Sequence, residues 1–334
     1  MYIPDQIRYI QRACTKLGYK FELYDKHSGY LACVEHKTNK LLIGTGLICS
    51  YPLNSATSFS ISVDKAHTYN NLLINGYNIP VGEYFFLSRK YNAVRGLGKN
   101  IYDAILYAQK IGFPVFVKPN DGSRGELAQI IFNENELIYH LMRISERHNI
   151  CLIQEFISGY EYRIFILDGI PIFAYNRIKH VIIGDGILPI KSKLEKINSE
   201  RIGKGLDVIL EDNGLIQNSL SEKKLKITDI LKKGEILEYT SSANISGGGE
   251  VGVIHDKFSS NVEKFCSKLA LISNLRVCAI DLFSSKNEFE DILDDYKIIE
   301  INGNPSLSGL EHANRMDLID KIWTDVLFKY FNGH

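Results

Sequence analysis

The stretch YKIIEINGNPS, residues 296–306, indicates both the fold and the chemistry of this chain. Its apolar residues predict a β-strand, and Glu300 and Asn302, two positions apart, project from one face of such a strand. The apolar segment VCAIDLF at 277–283 predicts a second strand, from which Asp281 can join them. Hard oxygen ligands suit Mg²⁺, and a metal would offset the cost of a carboxylate among apolar neighbours. The two segments therefore predict a Mg²⁺ site, with a solvent-facing strand edge as the alternative.

A lysine at the end of an apolar strand is the second feature. The segment FPVFVKP, residues 113–119, contains Lys118, and the polar stretch DGSRGE that follows, residues 121–126, carries two glycines; we call this stretch the glycine loop. A cation beside a flexible loop can hold a nucleoside triphosphate, because the loop supplies backbone N–H groups and the lysine a point charge. A hairpin with a solvated lysine is the alternative interpretation.

The segment IQEFISGYEYRIFIL, residues 153–167, predicts two strands joined by a short linker. We call residues 154–157 the hinge. Its backbone can hydrogen-bond an adenine edge while Glu161 binds ribose hydroxyls. Two strands with a Ser-Gly turn and exposed carboxylates would give the same pattern, so the segment alone leaves both interpretations open.

Three consecutive glycines occur in ANISGGGE, residues 243–250. Glycines allow a backbone to approach a ligand closely, at an entropic cost that a simple loop would not need. The segment therefore indicates a ligand-binding loop, and a flexible turn remains the alternative.

The order of predicted elements divides the chain. A helix opened by Pro4 and ended by Gly18 leads into short strands, and strands alternate with helices thereafter. A polar, lysine-rich stretch from about 185 to 234 is expected to be irregular. We predict three parts: an N-terminal lobe over 1–60, a central part with the Lys118 strand and glycine loop over 61–150, and a C-terminal part with hinge, insertion and metal site over 151–334.

Composition excludes several classes of function. Lys and Arg together number 39, as do Asp and Glu, so no net basic charge attracts nucleic acid or an anionic membrane. The six cysteines show no metal-ligand spacing and are expected to be buried thiols in a reducing compartment. The N-terminus has no signal-peptide pattern and no stretch is long and apolar enough to span a membrane, which predicts a cytoplasmic protein.

Taken in order, these segments resemble the ATP-grasp superfamily over roughly residues 60 to 312. The shared pattern is a DK-x-x-T helix, the VKP strand, a glycine loop, a Q/E-E-F-I hinge, an A-x-D strand and E-I-N-x-x-P. The stretch from Arg177 to EINGNPS is similar to the ATP-grasp module of cyanophycin synthetases and bifunctional glutathione synthetases. The resemblance implies an ATP-grasp fold of α+β and α/β character, with two α+β subdomains that grip ATP behind a short N-terminal lobe.

The resemblance also implies roles for individual residues, ATP as cofactor, and two Mg²⁺ ions for which Mn²⁺ can substitute. Lys65 and Lys118 would hold phosphates, and the glycine loop would close over them through Gly122, Ser123 and Gly125. The further implied roles are adenine binding by Glu155, Phe156 and Ile157, ribose binding by Glu161, Mg²⁺ binding by Asp281, Glu300 and Asn302, stabilisation of an acyl phosphate by Arg177, and positioning of the reacting group by Asn244, Gly247 and Gly248.

The activity that the resemblance implies is an ADP-forming ligase that joins a carboxylate, of an amino acid or peptide, to an amine through an acyl phosphate. Its partners would be small-molecule or peptide substrates, without nucleic acid or membrane, and the resemblance allows a homo-oligomer. Two other classes stay open: a non-catalytic nucleotide-binding module, and a kinase or phosphohydrolase on the same fold.

Overall fold

The computed structural model describes residues 3–88, 98–123, 125–178, 181–203, 208, 216, 219–221, 223–238 and 250–333. Within these ranges the helices are α1 Asp5–Leu17, α2 Ala56–Val63, α3 Lys65–Ile74, α4 Ile101–Ile111, α5 Glu134–Ser145, α6 Ile190–Gly203, α7 Ser260–Ser273, α8 Ser308–His312 and α9 Met316–Asn332. The strands are β1 Lys20–Leu23, β2 Leu31–His36, β3 Asn39–Gly44, β4 Gly82–Phe86, β5 Val115–Pro119, β6 Gln129–Ile131, β7 Ile150–Glu155, β8 Tyr160–Leu167, β9 Ile170–Ile178, β10 Val181–Ile183, β11 Ile236–Glu238, β12 Glu250–His255, β13 Val277–Ser284 and β14 Tyr296–Asn302.

The chain divides into two compact units that each contain separate segments of the sequence. Unit 1 consists of Met1–Ile79, Ser158–Tyr175 and Val253–His334, and unit 2 consists of Pro80–Ile157 and Asn176–Gly252. The division into residues 1–60, 61–150 and 151–334 that we expected from the sequence is a different kind of grouping, and it stays a prediction.

In unit 1, the leading helix and short strands form as expected. Helix α1 follows Pro4 and ends at Gly18, whose φ of 69° is the left-handed conformation that glycine adopts without strain. Strands β1, β2 and β3 form an antiparallel sheet in that order. Ion pairs join α1 to the C-terminal helices, with Arg12 at 2.8 Å from Asp320.

The main sheet associated with unit 1 has the strand order β12-β9-β8-β13-β14, and β9 and β12 continue into unit 2. Strand β13 is antiparallel to both β8 and β14. Even-numbered residues of β8 and β13 face the hydrophobic core with α7; Ile164 and Ile280 are fully buried there beside Cys266. Because successive side chains of a strand alternate between faces, the odd-numbered residues project from the opposite face.

Unit 2 contains an antiparallel sheet with the order β4-β7-β5-β6. Val115 and Val117 of β5 and Ile153 of β7 are fully buried in a core that also contains Ala104 of α4 and Leu137 of α5. Helix α4 begins with a capping box formed by Asn100 and Asp103. The predicted strand, glycine loop, strand and amphipathic helix therefore appear here in order.

The expectation that residues 185–234 are irregular is wrong in part, because α6 lies within this stretch. Its buried residues are few, and Ile190 and Leu194, one helical turn apart, carry the apolar contact. They pack with residues of the two-stranded sheet β10-β11, such as Ile182 and Leu237, in a small separate core. The apolar pattern is weak because this core is small.

All six cysteines lie among the described residues, and none of them forms a disulfide. Cys49 is half-buried and the others are buried, as expected. Burial raises the pKa of the Cys151 and Cys278 thiols to about 12, so both are neutral near pH 7. None of the helices, as far as they are described, has the length and apolar character needed to cross a bilayer.

Candidate functional site

A row of three charged residues crosses the main sheet in unit 1. Asp281 of β13 lies directly opposite Arg163 of β8 on one side and Glu300 of β14 on the other. Residues directly opposite in antiparallel strands share a face, with Cβ atoms about 4.5–5.5 Å apart. Asp281 and Glu300, the two carboxylates among the predicted metal ligands, are therefore neighbours.

Two further predicted residues lie on this same face. Glu161 precedes Arg163 by two positions on β8, and Asn302 follows Glu300 by two positions on β14. Glu161 is buried, and Asn302 Oδ1 accepts a hydrogen bond from the Asn304 backbone N–H at 2.9 Å. Unit 1 thus brings Glu161, Asp281, Glu300 and Asn302 onto one face of a sheet, while the roles assigned to them stay predictions. We call these four residues the oxygen cluster.

The charge of Asp281 is balanced by Arg163, a residue that sequence reasoning missed. Arg163 Nε and Nη2 donate to Asp281 Oδ1 and Oδ2 at 2.7 and 2.6 Å. Their side chains are only 13% and 6% exposed. Burial alone would lower the pKa of the Arg163 guanidinium, but the charge of Asp281 and their hydrogen bonds outweigh it and raise that pKa above its ordinary value.

The interpretation that only a metal offsets the cost of the Asp281 carboxylate is therefore incomplete. Arg163 lies two positions after Glu161 on a strand, so the period-2 rule places it on the face of the oxygen cluster. That signal was present in the sequence. The partner across the strands was not, because strand register is a property of the fold.

The oxygen cluster fits Mg²⁺ by donor chemistry. Glu300 and Asn302 supply a carboxylate and an amide oxygen beside Asp281, and Mg²⁺ is usually held by one or two carboxylates together with substrate phosphates. Among the described residues, no group of three or more His, Cys, Asp or Glu side chains is placed to hold a metal. The Mg²⁺ role of these residues stays a prediction.

The segment that follows β14 is held in place by residues of the N-terminal part of unit 1. Asn54 Nδ2 donates to the Gly303 carbonyl at 2.9 Å, and the Tyr51 hydroxyl donates to the Pro305 carbonyl at 2.8 Å. A Cβ on Gly303 would lie 2.5 Å from Ser62 Oγ, so a side chain at this position would require the Ser62 side chain to shift. Lys65, the first residue of α3, is half-buried three positions after Ser62.

In unit 2, Lys118 lies on the face of the sheet opposite the helices. Val115 and Val117 face the helical core, whereas Lys118 alternates with them and is only 5% exposed. Phe116, two positions earlier, lies opposite Gln154 of β7, and the Lys118 Nζ is 5.9 Å from the Phe116 ring. The interpretation of Lys118 as a solvated hairpin lysine is therefore wrong. Gln154, also buried, was not a candidate from the sequence.

The glycine loop makes a tight turn around its predicted residues. The Glu126 N–H donates to the Ser123 carbonyl at 2.9 Å, and Gly125 has a φ of 78°. A Cβ on Gly122 would lie 3.1 Å from the Pro119 side chain, so the loop folds back on the end of β5. Gly122, Ser123 and Gly125 thus belong to one compact turn next to Lys118.

At the end of β7, the hinge residue Glu155 contacts Val81 through both its backbone and its side chain. The Glu155 N–H donates to the Val81 carbonyl at 2.7 Å, and Glu155 Oε1 accepts from the Val81 N–H at 2.7 Å. Phe156 is 39% exposed, and Ile157 is half-buried. The Glu155 carboxylate thus accepts a hydrogen bond from the protein backbone, and adenine binding by the hinge stays a prediction.

Arg177 lies buried on β9 in unit 2, next to Asn176. A Cβ on Gly252 would lie 2.3 Å from Asn176 Oδ1, so the backbone after the triple-glycine segment is closely approached by this amide. Asn244, Gly247 and Gly248 lie outside the described residues, and their assignments stay predictions.

The chain is similar in sequence to long bifunctional or multidomain enzymes. It is 26% identical over 203 residues to a cyanophycin synthetase of Crocosphaera subtropica, covering 58% of this chain and 23% of the relative. It is 24% identical over 279 residues to that of Geminocystis herdmanii, covering 79% and 30%. It is 26% identical over 304 residues to the glutathione biosynthesis bifunctional protein GshAB of Streptococcus mutans, covering 87% and 38%. The chain thus spans less than two fifths of the length of these relatives.

The fold is that of a solved ligase structure. A bifunctional glutathione synthetase from Pasteurella multocida matches with a TM-score of 0.54 and 19% identity, over 91% of this chain and 41% of that structure. No protein-family model matches the chain. The chain therefore has an ATP-grasp fold, and in sequence it is similar to cyanophycin synthetases and to the bifunctional protein GshAB.

Proposed function

We propose that the chain is an ADP-forming ligase that joins the carboxylate of an amino acid or peptide to an amine through an acyl phosphate. The observation that carries the proposal is the oxygen cluster in unit 1, where Asp281 and Glu300 face each other beside Glu161 and Asn302. The names of the relatives, cyanophycin synthetase and glutathione biosynthesis protein, support a ligase of this class.

The residues of unit 1 take the ribose and metal roles in this proposal. Glu161 binds ribose hydroxyls, and Asp281, Glu300 and Asn302 hold Mg²⁺, two ions by family resemblance. Bound there, Mg²⁺ would neutralise charge on the phosphate oxygens. Arg163 orients the Asp281 carboxylate through its two hydrogen bonds.

The residues of unit 2 take the phosphate and adenine roles. In unit 2, Lys118 and the glycine loop have the proposed role of holding phosphates, and the hinge residues 155–157 that of contacting adenine; in unit 1, Lys65 has a proposed phosphate-binding role. Arg177 stabilises the acyl phosphate. Transfer of a phosphoryl group spreads negative charge over its equatorial oxygens, so fixed cations and N–H groups are needed more than a nucleophilic side chain.

The reaction consists of two displacements. A substrate carboxylate oxygen attacks the γ-phosphorus, ADP leaves, and an acyl phosphate forms. A neutral amine then attacks the acyl carbon, the C–O bond to phosphate breaks, and amide and inorganic phosphate are released. Asn244 with Gly247 and Gly248 position the reacting group in this proposal.

Isotope transfer tests the proposed reaction directly. A screen for ADP release over pooled carboxylates and amines first identifies a substrate pair, and the carboxylate is then supplied with ¹⁸O in both oxygens. We expect one label per turnover in inorganic phosphate, measured by mass spectrometry, together with stoichiometric ADP and amide. Label in AMP would show attack at the α-phosphorus and contradict the proposal. Phosphorylated product without amide would favour a kinase on this fold.

Replacing Lys118 by alanine is expected to weaken the binding of a non-hydrolysable ATP analogue with Mg²⁺ by about 10- to 150-fold. The reason is the loss of a charge-assisted contact worth about 1.5–3 kcal/mol. Isothermal titration calorimetry measures the change, and Lys118→Met tests the loss of charge with more of the side-chain volume kept. Lys110→Ala, which removes an exposed lysine of α4 in the same unit, is the control. Equal affinity of the Lys118 variants and the unaltered protein would remove Lys118 from the nucleotide site.

A further inference from the structure

The segment that connects α5 to β7 lies beside the start of the glycine loop. The Asn120 N–H donates to the Ile150 carbonyl at 3.0 Å, and Pro119 pairs with Cys151 across β5 and β7. Strand β7 is hydrogen-bonded on both sides, to β4 and to β5. His148, two residues before Ile150, is therefore carried by a well-held part of unit 2.

The imidazole of His148 reaches toward both ends of the glycine loop. His148 Nδ1 is 2.7 Å from Asp121 Oδ1, and because a carboxylate accepts, Nδ1 carries the proton in this hydrogen bond. His148 Nε2 is 3.9 Å from Glu126 Oε2, and Arg147 Nη1 lies 3.4 Å from Glu126 Oε1. The His148 side chain is only 10% exposed, unlike that of Arg147, so its ring has little room to turn away.

The backbone of the glycine loop explains why Asp121 and Glu126, five positions apart, both lie near the His148 ring. The Glu126 N–H donates to the Ser123 carbonyl, and a Cβ on Gly122 would lie 3.1 Å from the Pro119 side chain and 3.4 Å from the Glu126 carbonyl oxygen. This turn brings the first and last residues of the loop together. The carboxylates of these two residues would repel a triphosphate if they turned toward it, and His148 and Arg147 hold them on the side of the helix end.

We propose that His148 is a positioning residue for the glycine loop: its hydrogen bond to Asp121 ties the start of the loop to the segment before β7, so that the loop is ordered for phosphate binding before ATP arrives. Ordering a loop in advance removes part of the entropic cost of binding. The inference rests on the proposed function, because the loop is taken as the phosphate-binding loop. His148 acts through the loop and does not contact the reacting atoms.

Three variants and one control test the proposal. His148→Ala removes both contacts, and His148→Asn keeps a donor near the position of Nδ1 while it removes the Nε2 edge. Asp121→Ala removes the partner of Nδ1. Arg143→Ala removes an exposed basic side chain from α5 and serves as the matched control. Calorimetry measures the affinity for the non-hydrolysable ATP analogue with Mg²⁺, and hydrogen exchange of the nucleotide-free protein reports on the peptide 119–128.

We expect His148→Ala to weaken analogue binding by about 10-fold, since it loses a hydrogen bond to a charged group. His148→Asn should recover most of the affinity. Asp121→Ala should resemble His148→Ala, and the double variant should lose little more, because both remove the same contact. Hydrogen exchange in peptide 119–128 should accelerate in His148→Ala while peptides from β4 and α4 stay unchanged. Arg143→Ala should bind as the unaltered protein does.

Two outcomes would overturn the inference. The first is unchanged analogue affinity and loop exchange in His148→Ala when the unaltered protein binds the analogue. The second is additive losses in the His148→Ala, Asp121→Ala double variant. If His148→Ala does not fold, His148→Asn and Asp121→Ala decide through the same two measurements. Absence of analogue binding by the unaltered protein would instead contradict the proposed function, while the exchange experiment would still test the contact itself.

Discussion

Replacing Glu300 by glutamine is expected to lower turnover by about 100-fold or more while the protein stays folded. The carboxamide keeps the shape of the side chain and removes its charge, which lies opposite Asp281 at the proposed Mg²⁺ site. The loss should be largest at limiting Mg²⁺, because one carboxylate fewer weakens the hold on the metal. Steady-state ADP release measured over a Mg²⁺ titration gives both the turnover and the apparent Mg²⁺ affinity.

The control for this variant is Glu263→Gln, which makes the same chemical change at an exposed position of α7 in the same unit. Its turnover and melting temperature should match those of the unaltered protein. Normal turnover of Glu300→Gln at limiting Mg²⁺ would mean that the carboxylate has a structural role only.

Replacing Arg163 by methionine is expected to lower the free energy of unfolding by about 3–5 kcal/mol, because the change removes both guanidinium hydrogen bonds from a buried carboxylate. The two side chains are joined by two hydrogen bonds and are nearly excluded from solvent. Denaturant titration followed by circular dichroism measures the change. Adding Asp281→Asn to this variant removes the carboxylate charge, so the double variant should regain a large part of the loss.

A half-buried arginine with exposed partners offers the comparison for this pair. Arg315 also contacts carboxylates, Asp256 and Asp317, both at 2.9 Å, but the carboxylates are well exposed. Arg315→Met should therefore cost no more than about 1 kcal/mol. If Arg163→Met proved as mild as Arg315→Met, Asp281 would be stabilised by groups other than Arg163.

The face that carries the oxygen cluster could be predicted in part because strand alternation is a local property. Glu300 and Asn302 share a face from their spacing alone, and the same rule applies to Glu161 and Arg163. The pairing of Asp281 with both neighbours depends on register, which includes a bulge after Asp281. A register shift of one residue would send the carboxylate into the core with Ile280, and no local pattern specifies that choice.

The missed and corrected features have a common cause. The burial of Lys118 follows from the side of the sheet that the helices cover, and the contact of His148 with Asp121 joins residues 27 positions apart. Helix α6 was missed because only a few apolar positions, such as Ile190 and Leu194, mark its buried face. Patterns among neighbouring residues do not predict a contact with a residue distant in the chain, and they mark a helix only weakly when the core that it joins is small.

The sequence by itself determined the order and kind of the elements and the donor atoms available on each strand. Helix caps such as Pro4 and Gly18, and the apolar strands around Lys118 and Asp281, are encoded within a few residues, since they reflect backbone conformation and periodicity. The tertiary structure alone decided which charges meet. Arg163 neutralises the charge of Asp281, because the register of β8 and β13 places the two residues opposite each other. These strands are distant in the chain, so only the folded structure sets that register. Both side chains are nearly excluded from solvent, where a carboxylate without compensation would be costly.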